Sequence, residues 1–269
     1  MSSSSSSSPL AIKIIYGSQT GNSQSAAFTL QSRLLSDLSS SSGTSGQGKG
    51  QVDVTVENCD DWLSDTSTDG GGLYIVITSS YGNGQAPLGC RLLRQYLDAL
   101  RIGRGVEEDN TTCQGMNFMM LGLGSRDYRT WFKNPRTVCE GLVGLGGNLV
   151  PTPSCESVDG SSSGLESAKC KGVGVADATG GGGKRQEEVV EDWIKHVVSK
   201  GVPEFLEGWS GGRWDEGRFK RRAREVLGEE IGGEEGGVEE GKGVGMWRYV
   251  LVPILLAVLA GGIAWKGSA

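Results

Sequence analysis

The stretch that most constrains this chain is the apolar run 11–15, Ala-Ile-Lys-Ile-Ile, followed at once by Tyr16-Gly17-Ser18-Gln19-Thr20-Gly21-Asn22. A β-branched run that ends in a small, hydroxyl-rich turn and then opens a helix is the layout of a phosphate-binding loop. Ser18 and Thr20 offer hydroxyls, and Gly17 and Gly21 let backbone N–H groups approach an anion. The helix that follows aims its positive end at the same spot. The glycine spacing is not that of a dinucleotide fingerprint, and no Lys-Ser/Thr pair follows as in a P-loop nucleotidase. An ordinary strand-to-helix turn is the plain alternative.

Downstream, strand-like and helix-like patterns alternate, which implies a parallel sheet covered by helices on both faces. Strands are predicted at 11–16, 52–56, 73–78 and 116–121, with a short fifth near 148–150 that an insertion splits before 173–175. The run 73–78 is apolar throughout, as a strand buried on both faces must be. A helix over about 22–38 turns Ala26, Ala27, Leu30, Leu34 and Leu38 inward. Further helices are predicted at about 87–100, 134–145 and 186–198, the last with Val189, Val190, Trp193, Ile194 and Val197 facing the core. In a doubly wound sheet of this kind, ligand sits at the carboxyl ends of the strands where the strand order reverses.

Two more loops carry chemistry. After the third strand comes Thr78-Ser79-Ser80-Tyr81-Gly82-Asn83-Gly84-Gln85-Ala86-Pro87, and after the fourth Leu121-Gly122-Leu123-Gly124-Ser125-Arg126-Asp127-Tyr128-Arg129-Thr130-Trp131-Phe132. With the first loop and the later Gly174-Val175-Ala176-Asp177 and Trp193-Ile194, they resemble the FMN loops of flavodoxin-like domains. The resemblance is nearest to the FMN domain of cytochrome P450 reductase and other diflavin reductases, and it covers about 12–198. It implies an α/β, flavodoxin-like, doubly wound five-stranded parallel sheet in the order 2-1-3-4-5. It implies FMN as cofactor, with the phosphate at Ser18, Gln19, Thr20, Gly21 and Asn22. Ser79, Ser80, Tyr81, Gly82, Asn83 and Gly84 would then lie on one side of the ring, and Leu121, Gly122, Gly124 and Tyr128 on the other. Tyr81 and Tyr128 are the expected covers of the two ring faces. The family's hydrophobic anchor falls at Trp131 or Phe132, with Phe132 taken as the contact, and Asp177 matches the acidic residue bordering the flavin. Gln85 departs from the usual acidic residue, and Asn134-Pro135-Arg136 from the usual glycine-rich helix start. Arg126 and Arg129 read as solvated surface charges, and Trp193 as core packing. No catalytic residue and no metal ligands are expected.

The net charge of −6 argues against general nucleic-acid binding. Six cysteines without a C-x-x-C pair read as reduced, mostly buried thiols. The serine-rich start 1–9 and the tracts 39–50 and 159–164 read as disordered. The main domain is placed at 10–205, followed by a flexible, charged, glycine-rich linker at 206–245. Within that linker 218–227 is basic, with apolar positions at helical spacing. It reads as a solvated helix, or as one lying on anionic headgroups. Residues 246–266 are long and apolar enough for a C-terminal transmembrane helix, flanked by Trp247, Tyr249 and Trp265. That reading makes the protein tail-anchored in a membrane by a single pass, with the flavodoxin-like domain facing the cytosol.

The function so implied is a membrane-tethered FMN protein that relays single electrons. Without an FAD/NADPH module after 198, it calls for a separate reductase as donor. A haem or iron–sulfur enzyme is the class of acceptor. The alternatives are an NAD(P)H-dependent flavin or quinone reductase, and a flavodoxin-like scaffold that has lost FMN.

Overall fold

The computed structural model describes residues 10–41, 52–67, 71–101, 111–152, 172–180, 183–212 and 214–228. Along these the chain forms β1 (Ala11–Gly17), α1 (Asn22–Ser41), β2 (Asp53–Asn58), α2 (Cys59–Ser64), β3 (Leu73–Ser79), α3 (Arg91–Arg101) and β4 (Asn117–Gly124). Then follow α4 (Lys133–Gly144), β5 (Asn148–Leu149), β6 (Gly174–Asp177), α5 (Gln186–His196), a π-helical turn (Val197–Gly201), α6 (Val202–Gly208) and α7 (Glu216–Leu227). The sheet runs β2-β1-β3-β4-β5 and is parallel, with β6 also pairing β4. The order 2-1-3-4-5 expected from the sequence is therefore present. Its fifth position is shared by two short strands on the same neighbour, because an insertion separates them.

The central strands are apolar on both faces, so each face gathers its own helices. Ile12, Ile14, Ile75, Ile77, Met119 and Leu121 pack with Ala26, Ala27, Leu30 and Leu34 of α1 and Trp193 and Ile194 of α5. Ile15, Tyr74, Val76, Phe118 and Met120 pack on the other face with α2, α3, α4 and α7. At the carboxyl edge the register forms one row, Gly17 beside Thr78, Thr78 beside Gly122, and Gly122 beside Val175. This row is the floor of the three loops.

Several expectations change. Helix α3 begins at Arg91 rather than near Pro87, because its cap comes from elsewhere in the chain. The Asp60 carboxylate accepts from the amides of Arg91 and Leu92 at 3.0 and 2.9 Å. Helix α2 went unpredicted. It is six residues long, and Asn58 caps it by accepting from Asp60 N and Asp61 N. Helix α1 runs on to Ser41, into the tract read as disordered. Within the 206–245 segment read as linker, Trp214, Phe219 and Ala223 are buried in the core, so α7 is neither solvated nor on a lipid surface.

The fold class carries one correction. No helix among the described residues is long and apolar enough to cross a membrane, so the expected C-terminal transmembrane helix is withdrawn. Its residues, 246–266, lie outside the described residues, as do the serine-rich start 1–9 and the tract 159–164. The chain divides into two units, Met1–Gly232 and Gly233–Ala269, and the second also lies outside them.

Candidate functional site: three loops at the carboxyl edge of the sheet

The first loop leaves β1 at Gly17 and turns on itself. Gly21 N donates to Ser18 Oγ at 3.0 Å, and Ser25 N donates to Gly21 O at 2.8 Å to begin α1. Gly21 adopts φ +93°, and a Cβ there would meet nothing within 4 Å, so the mouth of the turn is open. Among the described residues the amides of Gln19, Thr20 and Asn22 have no protein partner. Helix α1 has no acidic residue in its first turn to offset its positive end. Unclaimed amides at an unneutralised helix N-terminus form an anion site.

The second loop is a small hairpin. Tyr81 N donates to Gln85 O at 3.0 Å, and Gln85 N returns a bond to Tyr81 O at 2.8 Å. Gly82 and Gly84 hold the positive φ angles the turn needs, +49° and +82°. Asn134 fixes this loop from below. Its amide N–H donates to Ser80 Oγ, and its side chain donates to Thr78 Oγ1 and Ser79 O, all at 3.0–3.1 Å.

The third loop carries Tyr128 at its tip, 62% exposed, as Tyr81 is 47% exposed on the second. Beneath it, Phe132 is buried, and a Cβ on Gly122 would lie 2.3 Å from its ring. Phe132 takes φ +61°, an uncommon backbone state for a bulky residue, held in place by the burial of its phenyl group. Asp177 Oδ1 accepts from Arg126 N and Thr179 N at 3.1 and 3.0 Å, and its Oδ2 lies 3.1 Å from Arg126 Nε. Arg126 also lies over the Trp131 ring, 5.1 Å from its centroid. Asp177 and Arg126 therefore brace the loop, and Arg126 is not the solvated charge it was read as.

Hydrogen bonds join the three loops. Ser18 N donates to Leu88 O at 2.9 Å, and Gln19 Oε1 accepts from Leu88 N at 3.3 Å. Thr130 Oγ1 donates to Gly82 O at 3.5 Å. Gln186, which the sequence reading passed over, donates to Gly124 O and Ala176 O and accepts from the Asn22 side chain. Of the expected site residues, Ser18, Gln19, Thr20, Gly21, Asn22, Ser79, Ser80, Tyr81, Gly82, Asn83, Gly124 and Tyr128 lie on this joined surface with at least partial exposure. Gly84 is buried beneath the Lys133 side chain. Leu121 is buried on the opposite face of the sheet, and Gly122 is roofed by Phe132. Phe132, taken as the contact, is buried over Gly122 and supports the loop through the core rather than facing the cleft.

A flavodoxin family model matches residues 14–193, more than half of the chain. The chain belongs to the flavodoxin family. Two solved flavodoxins are similar to it. Oxidised flavodoxin 1 from Bacillus cereus is 12% identical, with 74% of this chain and 99% of that chain covered and a TM-score of 0.42. The flavodoxin of Streptococcus pneumoniae TIGR4 is 18% identical, with 72% and 99% covered and a TM-score of 0.42. Flavodoxins are FMN-binding electron-transfer proteins, and FMN is the cofactor of this chain. Its residues fit that group: an open turn of unclaimed amides for a phosphate, and two exposed phenol rings on adjoining loops for a flat ring system.

Proposed function

We propose that this flavodoxin-family protein relays single electrons from a separate reductase to a separate acceptor, a haem or iron–sulfur enzyme. The observation that carries the reading is the joining of three loops at the carboxyl edge of β1, β3 and β4, with Tyr81 and Tyr128 exposed on two of them. When bound, FMN supplies the redox chemistry, taking and giving electrons one at a time. The protein's own part is to hold and shield. The amides of Gln19, Thr20 and Asn22, with the positive end of α1, hold the phosphate dianion. Tyr81 and Tyr128 cover the ring and exclude water from it. Among the described residues Gly82 O accepts only a long bond from Thr130, 3.5 Å, so a donor on the ring can take that acceptor over. The exposed Leu88 beside the second loop leaves an apolar rim for a partner to meet.

The test is reconstitution of the full-length chain with FMN, its visible absorption spectrum, and photoreduction. One tightly held FMN, reduced in two separate one-electron steps, supports the relay. Rapid oxidation of NADPH by the purified protein alone would turn the reading toward a nicotinamide-dependent flavin reductase. Failure to take up added FMN rejects it.

A further inference from the structure

The charges of this chain are sorted by place. Its net charge is −6, yet the edge that carries Tyr81 and Tyr128 is basic. Residues 70–97, which hold the whole second loop, contain no Asp or Glu, and neither do residues 128–139. Along this edge Arg91, Arg129 and Lys133 are exposed and Arg136 is half-buried. Among the described residues none of the four forms an ion pair. We propose that this basic rim is the docking surface for the redox partner, and that the partner is a protein whose own redox centre is ringed by carboxylates.

The fold gathers the four cations around the second and third loops. Arg129 follows Tyr128 at the tip of the third loop, and the next residue, Thr130, donates to Gly82 O. Lys133 opens α4 and lays its stem across Gly84 of the second loop. Arg136 stands one turn farther along α4, its amide donating to Phe132 O at 3.1 Å. Arg91 opens α3, close after the exposed Leu88. One turn on, Arg94 ties α3 to α4 by donating to Asn134 Oδ1 at 3.1 Å.

The nearby acids do not cancel them. Asp127 is the only acidic residue in the third loop, and it accepts from the Ser125 hydroxyl. Asp60 is engaged by the amides of Arg91 and Leu92, and Asp177 pairs with Arg126. The exposed acids of α5, Glu187, Glu188, Glu191 and Asp192, belong to the face of the sheet opposite α3 and α4. A distribution separated in this way orients a charged protein before contact, and salt screens the effect. An acidic patch is drawn to the phenol edge and repelled by α5. A basic partner would be turned the other way. That the partner is a redox protein rests on the relay reading above, whereas the sign of its charge does not.

The probes are cytochrome b5, whose haem edge is acidic, and cytochrome c, whose haem edge is basic. Each, in the ferric state, is titrated with the FMN-loaded full-length chain at salt from about 10 to 200 mM. Cytochrome b5 should bind more tightly than cytochrome c, with an affinity that falls on the order of tenfold or more across that range. Arg129→Gln, Arg136→Gln and Lys133→Met should each weaken it several-fold. Lys195→Met, an equal change of charge at an exposed position on α5, should not. Lys133→Met keeps the stem over Gly84, and the exposed Arg129 supplies the test that leaves the second loop untouched. Tighter binding of cytochrome c overturns the proposal, as does cytochrome b5 binding that is absent or indifferent to salt and to the rim variants. A salt-sensitive dimer that the rim variants abolish also overturns it, by placing a second copy there. Stopped-flow mixing of the photoreduced protein then reads the transfer, one electron leaving the protein as one ferric haem becomes ferrous. Salt-sensitive binding of cytochrome b5 without its reduction rejects the relay and leaves the acidic-docking surface standing.

Discussion

Lys13 and Glu216 stand 203 residues apart in the chain and meet in the core, with Lys13 Nζ 2.8 Å from Glu216 Oε2. Glu216 has no exposed surface, and it also receives Lys220 at 2.7 Å, Trp62 Nε1 at 2.8 Å and the Tyr74 hydroxyl. A charge so buried survives only when paired and hydrogen-bonded. These bonds fix α7 against β1, β3 and α2. Around them Trp62, Tyr74, Trp214 and Phe219 pack ring against ring.

Glu216→Gln therefore takes the shared carboxylate from two buried ammonium groups, leaving Lys220 with the more distant Asp65 at 3.6 Å. Loss of one partner from a buried pair costs about 3–5 kcal/mol, and urea unfolding of the full-length chain should show a loss of that size. An unchanged midpoint would remove α7 from the stable core.

The pH dependence follows from the same site. Burial pushes the Glu216 pKa up, but hydrogen bonds from Lys13, Lys220 and Tyr74 outweigh it and hold it below the usual carboxylate range. A depressed carboxylate stabilises the fold fully above its unfolded value and loses that contribution as pH falls through its folded value. Glu57 and Asp60, both raised by burial, act in the opposite sense. The comparison of wild type with Glu216→Gln isolates Glu216. The difference in unfolding free energy should shrink as pH falls below the ordinary glutamate value of about 4.3, and a difference that grows there contradicts the assignment.

Phe132 and Trp131 are adjacent but unequal. Phe132 is 4% exposed and packs over Gly122, whereas Trp131 lies half-buried under Arg126. Phe132→Ala should cost about 3–5 kcal/mol of stability, the usual loss for a buried aromatic. Trp131→Ala should cost clearly less. Equal losses in thermal unfolding would contradict this difference in packing.

Gly17→Ala places a methyl group against Cys90 Cβ, at 2.3 Å before relaxation, with Thr78 Oγ1 and Pro87 Cγ at 3.1 and 3.2 Å. Overpacking of this kind costs about 1–3 kcal/mol. Because Gly17 leads into the phosphate loop, FMN affinity should fall together with stability. A fully stable variant with unaltered binding would mean that the two segments part easily.

Tyr128→Ala removes an exposed ring that makes no core contact. Stability should stay within about 0.5 kcal/mol of wild type. FMN binding should weaken by about 1–3 kcal/mol, the range for stacking of a planar heterocycle on an aromatic side chain. Fluorescence titration measures it, and equal affinity in the two proteins refutes the stacking role.

The sheet was readable because its information is local. The apolar runs of β1, β3 and β4 and the inward stripes of α1 and α5 repeat within a few residues, and periods of 2 and 3.6 are visible in a single chain. The loops were readable for the same reason, as short strings of glycine, hydroxyl and aromatic residues after buried strands. Other features were not. Asn134 looked like a departure from a glycine-rich helix start, yet it holds Thr78, Ser79 and Ser80 in place. Gln186 and Asp177 gave no sign that they brace loops more than 50 residues away.

Helix α7 marks the boundary between the two kinds of knowledge. Its apolar spacing at Phe219, Ala223, Val226 and Leu227 was legible, and so was its positive charge, but the face it would bury and the partner it would bury it against were not. The primary structure by itself determined which segments are strands, which helix faces turn inward and where the three loops fall, since each depends on neighbours along the chain. Whether Glu216 and Lys220 lie in water or in the core was decided only by the folded chain. A buried charge is tolerated when opposite charges surround it, and Lys13, Tyr74 and Trp62 reach Glu216 from distant segments that only the fold brings together.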